Sequence, residues 1–297
     1  MRKMYTVMFF ISMGLTIASV IVIITLGLNL GVDFRGGSII ELRFTDGRPE
    51  ISQIESVLTE KFSDREFIIN SVGEEDIIIK TGELTEESHQ ELISSIAETF
   101  PELKIEERRF DSVGPAIGRE LREKSINAVV IVLLAIIVYI AFVFRKISSV
   151  LSSWAMGLSA VIAMAHDILI PIGIFSLRVY YYDVQINAVF VAAILTVLGY
   201  SVSDTVVVFD RIRENVLKGY LKEGFGETIH MSVMQTLTRS LNTSFTTLLS
   251  LFAIYFFGGE SMRFFSLALI MGIFLGAYSS LFVATPIIYW WHKVIGK

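Results

Sequence analysis

Cysteine is absent from all 297 residues, which removes disulfide frameworks, thiolate nucleophiles and Cys-ligated metal sites together. That absence leaves the compartment open, because a domain without Cys is at home on either side of a membrane. Histidine is scarce too: His89, His166, His230 and His292 are scattered, and no metal site follows from them. A phosphate-cradling loop is missing, since Gly224-x-Gly226 lacks the third glycine and the preceding strand of a dinucleotide-binding turn. Charge is also short, at 19% of residues against about 25% in a soluble domain.

What fills the chain instead is apolar sequence, 53% of it, gathered into long runs. No charged residue falls in 4–32, 125–144, 184–203, 240–259 or 264–291, and 147–177 is interrupted only by Asp167 beside His166. A hydrocarbon core about 30 Å thick needs roughly 20 apolar residues of helix. Six membrane spans are therefore expected, at 5–28, 124–144, 149–176, 185–209, 239–258 and 264–291, and a soluble cytosolic enzyme is excluded. The first run follows Met1-Arg2-Lys3 and superficially resembles a signal peptide. It is too long for an h-region and ends in no A-x-A site, so it reads as a retained span.

Basic residues orient the spans. Arg2, Lys3, Arg145, Lys146, Arg211, Arg213, Lys218, Lys222, Arg239, Lys293 and Lys297 fall at one face, while the short loops of the other carry only Arg178 and Arg263. Both termini are expected in the cytoplasm. The loop 33–124 holds 22 of the 30 acidic and 12 of the 25 basic residues. Long translocated segments escape the charge rule, so 29–122 reads as a folded extracytoplasmic domain.

Within that domain the hydrophobic period alternates between 2 and 3.6. Strands are expected at 38–44, 66–72, 76–80 and 103–110, with the middle two forming a hairpin around Gly73. Helices are expected at 49–62 and at 85–100, the second opening on Thr85 as N-cap with acidic residues in its first turn. The order β-α-β-β-α-β fits a ferredoxin-like split βαβ unit, the alternative being another small α+β sandwich. The domain shows no nucleophile, metal cluster or phosphate loop and reads as a binding or lever module. The fold class is thus a polytopic α-helical membrane protein with one extracytoplasmic α+β domain.

A charge at mid-bilayer costs about 2.5–3.5 kcal/mol on insertion scales, so Asp167, Asp204 and Arg239 each need a reason. Helical spacing gives each a polar stripe: Ser152, Ser159 and Ala163 with Asp167, Tyr200 and Ser201 with Asp204, and Thr243, Thr246, Thr247 and Ser250 with Arg239. Three such stripes suggest a hydrated seam inside the bundle. The competing reading is structural, because hydroxyl stripes also pack membrane helices and an arginine at a span's end snorkels. The row Gly272, Gly276, Ser280 and Ala284 reads as a small-residue packing ridge. The stretch 210–237, broken by Gly219, Gly224 and Gly226, reads as a cytoplasmic amphipathic linker lying near the headgroups.

Three stretches carry a family resemblance. The first is Leu30-Gly31-Val32-Asp33-Phe34-Arg35-Gly36-Gly37, where the first span emerges. The second runs from Gly199-Tyr200-Ser201-Val202-Ser203-Asp204 through Phe209-Asp210-Arg211-Ile212-Arg213-Glu214-Asn215. The third is Arg239-Ser240-Leu241-Asn242-Thr243-Ser244, with Phe257-Gly258-Gly259 after it. Together they resemble the SecD/SecF family of bacterial protein-export subunits, in its smaller, SecF-type branch, over nearly the whole chain. Ser203 stands where that family often has Asn.

The resemblance implies a member of the resistance–nodulation–division superfamily in the cell inner membrane. It implies SecD, the SecYEG channel, translocating preproteins and other membrane-insertion accessory proteins as partners within the lipid bilayer, and no nucleic acid. It implies coupling of the proton-motive force to late preprotein translocation and release, with Asp204, Arg239 and, more weakly, Asp167 on the proton pathway. Asp33, Phe34, Arg35, Gly36 and Gly37 would be the family motif at the outer end of the first span. No cofactor, metal or covalent chemistry is implied, so the chain is not expected to be an enzyme. Two alternatives stand beside this reading: half of a proton-driven lipid or small-molecule exporter, and a structural subunit that passes no protons.

Overall fold

The computed structural model describes residues 3–45, 47–145, 152–182 and 185–295. Arg2, Lys146 and Lys297 of the orientation argument, and the first residues of the span expected at 149–176, lie outside them. The chain divides into two compact units, residues 30–126 and residues 1–29 with 127–297.

The smaller unit is a four-stranded antiparallel sheet with two helices. After a short helix α2 (Val32–Arg35) come β1 (Gly37–Phe44), α3 (Ile51–Lys61), β2 (Ile68–Val72), β3 (Asp76–Thr81), α4 (Glu86–Thr99) and β4 (Ile105–Val113). The strand order β2–β3–β1–β4, every neighbouring pair antiparallel, is that of the split βαβ arrangement. Local signals start each helix. Glu50 and Gln53 form a reciprocal capping box before α3, and the Thr85 hydroxyl accepts the Ser88 amide at 3.3 Å before α4. Alternate residues Ile40, Leu42 and Phe44 of β1 and Ile77 and Ile79 of β3 face one side. There they meet Ile54 and Leu58 of α3 and Leu92 and Ile96 of α4 in a single apolar core. Gly73 turns the hairpin at φ +62°.

One ion pair stands across that sheet. Arg43 and Asp76 are directly opposite in the β1–β3 register. The guanidinium grips both carboxylate oxygens, Nε to Oδ1 at 2.6 Å and Nη2 to Oδ2 at 2.7 Å. This charge-assisted pair holds the Asp76 carboxyl below the usual carboxylate range and the Arg43 guanidinium above its own.

Among the described residues six helices are long and apolar enough to cross a membrane: Lys3–Leu26, Pro115–Val143, Ser153–Arg178, Ala188–Leu217, Phe225–Phe257 and Met262–Val294. The protein is a multi-pass membrane protein. The helices are α1 (Lys3–Leu26), α5 (Pro115–Val143), α6 (Ser153–Tyr182), α7 (Ala188–Leu217) and α8 (Phe225–Phe257). The last span is built from α9 (Glu260–Ser279), a π-helical turn (Ser280–Ala284) and α10 (Thr285–Ile295). Of these, α6 is the most enclosed and α1 and α5 the most exposed.

Small residues set the close approaches. A Cβ on Gly272 of α9 would stand 2.2 Å from the Val197 side chain of α7, and one on Gly173 of α6 would stand 2.6 Å from Ser19 of α1. The reading of Gly272 and Gly276 as a packing ridge describes their surroundings well.

Two boundaries differ from the sequence expectation. Helix α5 begins at Pro115 rather than 124, because its first turns are helical without being apolar. The stretch 210–237 forms no separate interfacial helix. It is the end of α7 and the start of α8, joined through a 3-10 turn at Tyr220–Glu223 between Gly219 and Gly224, both at positive φ. Ile212, Val216, Phe225, Ile229 and Val233 are buried in the bundle core, and Asn215 donates to Ser232 Oγ at 2.8 Å and Gln235 Oε1 at 3.0 Å. Those contacts, which no helical periodicity within the stretch reports, fold it back as a helical hairpin.

Candidate functional site: two carboxylates among hydroxyls

Asp167 lies in the middle of α6 and is 0% exposed. Three groups meet its carboxylate: Ser201 of α7 donates to Oδ2 at 2.6 Å, Ser279 of α9 donates to Oδ2 at 2.7 Å, and His166 Nδ1 lies 2.8 Å from Oδ1. Pro171 follows four residues later inside the same helix. Its missing N–H leaves the Asp167 carbonyl without the regular helical donor, so backbone and side chain are both irregular at this point.

Asp204 sits one turn beyond Ser201 on α7 and is half-buried. Its Oδ1 accepts from Ser240 of α8, while Oδ2 is buried without a hydrogen-bond partner among the described residues. Thr205 and Ser280 share a hydrogen bond of 2.8 Å alongside it. The two carboxylates also act on each other electrostatically.

Ser279 and Ser280 reach different partners because adjacent side chains on a helix point about 100° apart. Ser279 ends α9 and Ser280 begins the π-helical turn, a feature frequent at functional sites. Both serines are fully buried. Successive hydroxyls thereby serve Asp167 on α6 and Thr205, next to Asp204, on α7. Four spans contribute to one polar cluster.

Arg239 takes a different position from the one its stripe suggests. It is exposed, and its guanidinium forms no ion pair with Asp204 or another carboxylate among the described residues, although its charge acts on Asp204. It lines an open cavity of about 260 Å³ with Asp210, Arg211, Glu214, Gln235 and Thr236. Thr243, Thr246, Thr247 and Ser250 share its exposed face. Their hydroxyls bond their own helix, each to a carbonyl three or four residues back. The inward face of α8 is Thr236, Ser240, Ser244 and Leu251, with Tyr200 donating to Ser244 at 3.3 Å. Of the three expected stripes, those of Asp167 and Asp204 meet in the bundle and that of Arg239 turns outward. Periodicity defines a face, and only packing decides which way it points.

Ser240, Ser279 and Ser280 are the residues that sequence reasoning leaves out of the seam, Ser280 having been placed in a packing ridge. The signal present was two consecutive hydroxyls, Ser279-Ser280, deep inside an apolar run. Among the described residues, no group of three or more His, Asp or Glu could hold a metal ion.

The motif at 33–37 belongs to the smaller unit. Phe34 is buried, and Gly36 adopts φ +84° with its Cα so near the start of α5 that a Cβ would lie 2.7 Å from Pro115 Cα. At Gly37, φ +132°, a Cβ would lie 2.7 Å from the Thr81 carbonyl oxygen. Gly118 completes the contact, a Cβ there meeting the Gly36 amide at 2.9 Å. The two glycines are demanded by conformation and by crowding at once.

Comparison with known proteins bears on the whole chain. Residues 92–294 match the family described as protein export membrane protein SecD/SecF, C-terminal, and residues 21–47 match the SecD/SecF GG motif. A Thermobaculum terrenum protein named protein translocase subunit SecF is 41% identical, covering 96% of this chain and 91% of its own length. A Rickettsia felis protein of the same name is 39% identical over 88% of this chain and 81% of its own. The crystal structure of SecDF, a translocon-associated membrane protein from Thermus thermophilus, superposes with a TM-score of 0.81 at 33% identity, covering 97% of this chain and 38% of that one. A second SecDF structure, in a super-membrane-facing form, gives a TM-score of 0.66 at 32% identity over 99% of this chain and 38% of that one.

Proposed function

The chain belongs to the SecD/SecF family of protein-export membrane proteins, and we propose that it is an accessory subunit of the Sec preprotein translocase. With a SecD-type partner it couples the proton-motive force to late preprotein translocation and release on the outer face. It resides in the inner membrane with both termini in the cytoplasm, works beside the SecYEG channel, and performs no covalent chemistry.

The observation that carries this reading is the cluster in which Asp167, bonded by Ser201 and Ser279, and Asp204, bonded by Ser240, lie on adjacent spans with the Thr205–Ser280 hydrogen bond alongside. Buried carboxylates inside a membrane are expensive and accumulate on proton routes. A proton moving down a 100 mV potential releases about 2.3 kcal/mol. Here it would pass between the cavity lined by Arg239 and Asp210 and the interior by way of Ser240, Asp204 and Asp167. Loading and unloading a carboxylate alternately removes and restores a charge in a packed bundle, which biases a two-state packing. The acidic outer domain is the part that contacts preprotein or responds to the change in packing. The outward face of α8, with Arg239 and its row of hydroxyls, is the side given to the SecD-type partner.

The test is proton-gradient-dependent preprotein release from vesicles holding the chain and its SecD-type partner, native against Asp204→Asn, with assembly checked in the same preparation. Loss of the gradient dependence with assembly intact is expected. Release that still follows the gradient in Asp204→Asn and in Arg239→Met would overturn the coupling role and favour a structural subunit.

A further inference from the structure

The cavity beside Arg239 has an apolar wall and a charged one. Val143 and Phe144 at the end of α5 and Val206 and Val207 of α7 form the first. Asp210, Arg211 and Glu214 of α7 form the second with Gln235, Thr236 and Arg239 of α8. From Val206 to Glu214 a helix rises about 12 Å at 1.5 Å per residue. Over that length α7 passes from Val206–Phe209, without charge, to Asp210, Arg211, Arg213 and Glu214. The cavity therefore lies where acyl chains give way to head groups.

Charge around it does not balance. Arg213 Nη1 donates to Asp210 at 2.8 Å, while Glu214 is held by Lys218 Nζ at 2.6 Å and by Arg211 Nη1 at 2.8 Å. Those two carboxylates meet three cations. Arg239, which forms no ion pair among the described residues, is a fourth. The cluster carries a surplus of positive charge with no anion of this chain to take it up.

Donors are left over as well. A guanidinium presents five N–H groups in a fork that matches phosphate oxygens, and Arg211 commits only its Nη1 side to Glu214. Asn215 donates to Gln235 Oε1 at 3.0 Å, so the other end of that amide is a donor group. Snorkelling carries one long side chain to the interface. Here two arginines from different helices border a single concavity.

We propose that this cavity binds the phosphodiester of an anionic phospholipid from the leaflet on the side of the chain termini. Arg239 and Arg211 take the phosphate oxygens, the Gln235 amide lies beside them, and an acyl chain runs along Val143, Val206 and Val207. Basic pockets between membrane helices are a recurrent form of headgroup site. A volume of about 260 Å³, against about 30 Å³ for one water, takes the phosphate and leaves the tails in the bilayer. The lipid then sits at the margin of the α8 face assigned to the SecD-type partner. Its charge offsets that of the guanidinium acting on Asp204, so lipid composition reaches the carboxylate cluster through the field of Arg239. Such binding requires only a membrane-spanning chain and is independent of the proton route.

The test is native mass spectrometry of the full chain in detergent, titrated with phosphatidylglycerol or with phosphatidylcholine of the same chains. Phosphatidylglycerol is expected to bind more tightly. Arg239→Gln should weaken it about tenfold, the loss of one charge-assisted contact, and leave phosphatidylcholine unaffected. Lys293→Gln, which removes a like charge from the exposed end of α10, should change neither. Should Arg239→Gln not fold, Arg211→Gln is read in the same way, and a photoreactive benzoylphenylalanine in place of Gln235 reports the lipid as a covalent adduct. Equal affinity for the two lipids, or equal weakening by Lys293→Gln, would reduce the effect to diffuse surface charge and overturn the proposal. Displacement by soluble glycerol phosphate at concentrations matching the lipid would assign the site to free phosphate, and loss of the bound lipid on assembly with the SecD-type partner would assign it to the subunit interface. Either result also overturns it. Export is not measured, so the outcome stands whether or not Asp204 couples the gradient.

Discussion

Ser279 donates its hydroxyl to Asp167 Oδ2 across 2.7 Å, and the very next residue, Ser280, bonds Thr205 at 2.8 Å. Adjacent side chains on a helix diverge by about 100°, which sends the pair to two different spans at the point where the π-helical turn begins. Hydrogen bonds to a charged group contribute about 1.5–3 kcal/mol. Ser279→Ala is expected to destabilise the detergent-solubilised protein by that amount. Thr243→Ala, on the exposed face of α8, is expected to stay within about 0.5 kcal/mol of native. Thermal unfolding of the two variants side by side checks the contrast.

Crowding between α7 and α9 makes a second expectation. A Cβ at Gly272 would lie 2.2 Å from Val197 Cγ2, and inserting a methyl into a packed core costs about 1–3 kcal/mol. Gly272→Ala should lower stability by that much, and Val197→Ala added to it should recover part of the loss. Additive effects in this double-mutant cycle would show that the two residues do not compete for the same space.

At the Gly36-Gly37 pair, backbone and space act together. Gly36→Ala places a side chain at φ +84° and against Pro115 Cα. With ψ at 157° this backbone region is essentially confined to glycine and costs another residue about 1–3 kcal/mol. Faster amide exchange in α2 and β1, read by mass spectrometry on the full chain, is the expected outcome. Unchanged exchange would mean that the loop accommodates the methyl.

Acid should weaken the smaller unit through Asp76. The Arg43 guanidinium lowers its carboxyl below the value of the unfolded chain, so the unfolded state binds the proton more readily. The stabilisation is complete above the ordinary aspartate value, about 3.9, and is lost as pH falls below it. Protection factors of β1 and β3 amides should fall with pH in that window, and Arg43→Met should flatten the dependence. A slope that survives Arg43→Met assigns it to other carboxylates.

The exposed hydroxyl row of α8 bears on assembly. Thr243, Thr246, Thr247 and Ser250 satisfy their hydroxyls within their own helix, so replacing Thr246 and Thr247 by Leu should leave the isolated chain as stable as before. If the SecD-type partner covers this face, the same change should reduce its co-purification severalfold. Equal recovery of the partner would move the interface elsewhere.

Much of the architecture was legible in the residues. Uncharged runs exposed the spans, because a bilayer core admits little else, and the alternation of periods 2 and 3.6 with Thr85 as a cap laid out the β-α-β-β-α-β order. Asp167 and Asp204 stood out because a charge in an apolar run demands a partner. Which partners they have could not be read along the chain. The hydroxyls of Ser201, Ser240 and Ser279 reach the carboxylates only when four spans are packed together, and the direction in which the α8 stripe faces is set by that packing. The π-helical turn at Ser280 likewise leaves no local signature, since its widened geometry is held by neighbouring helices. Composition and period thus determined the elements of this protein. Tertiary structure alone decided which polar groups meet, because a hydrogen bond between distant residues depends on the approach of two helices and not on the spacing within either.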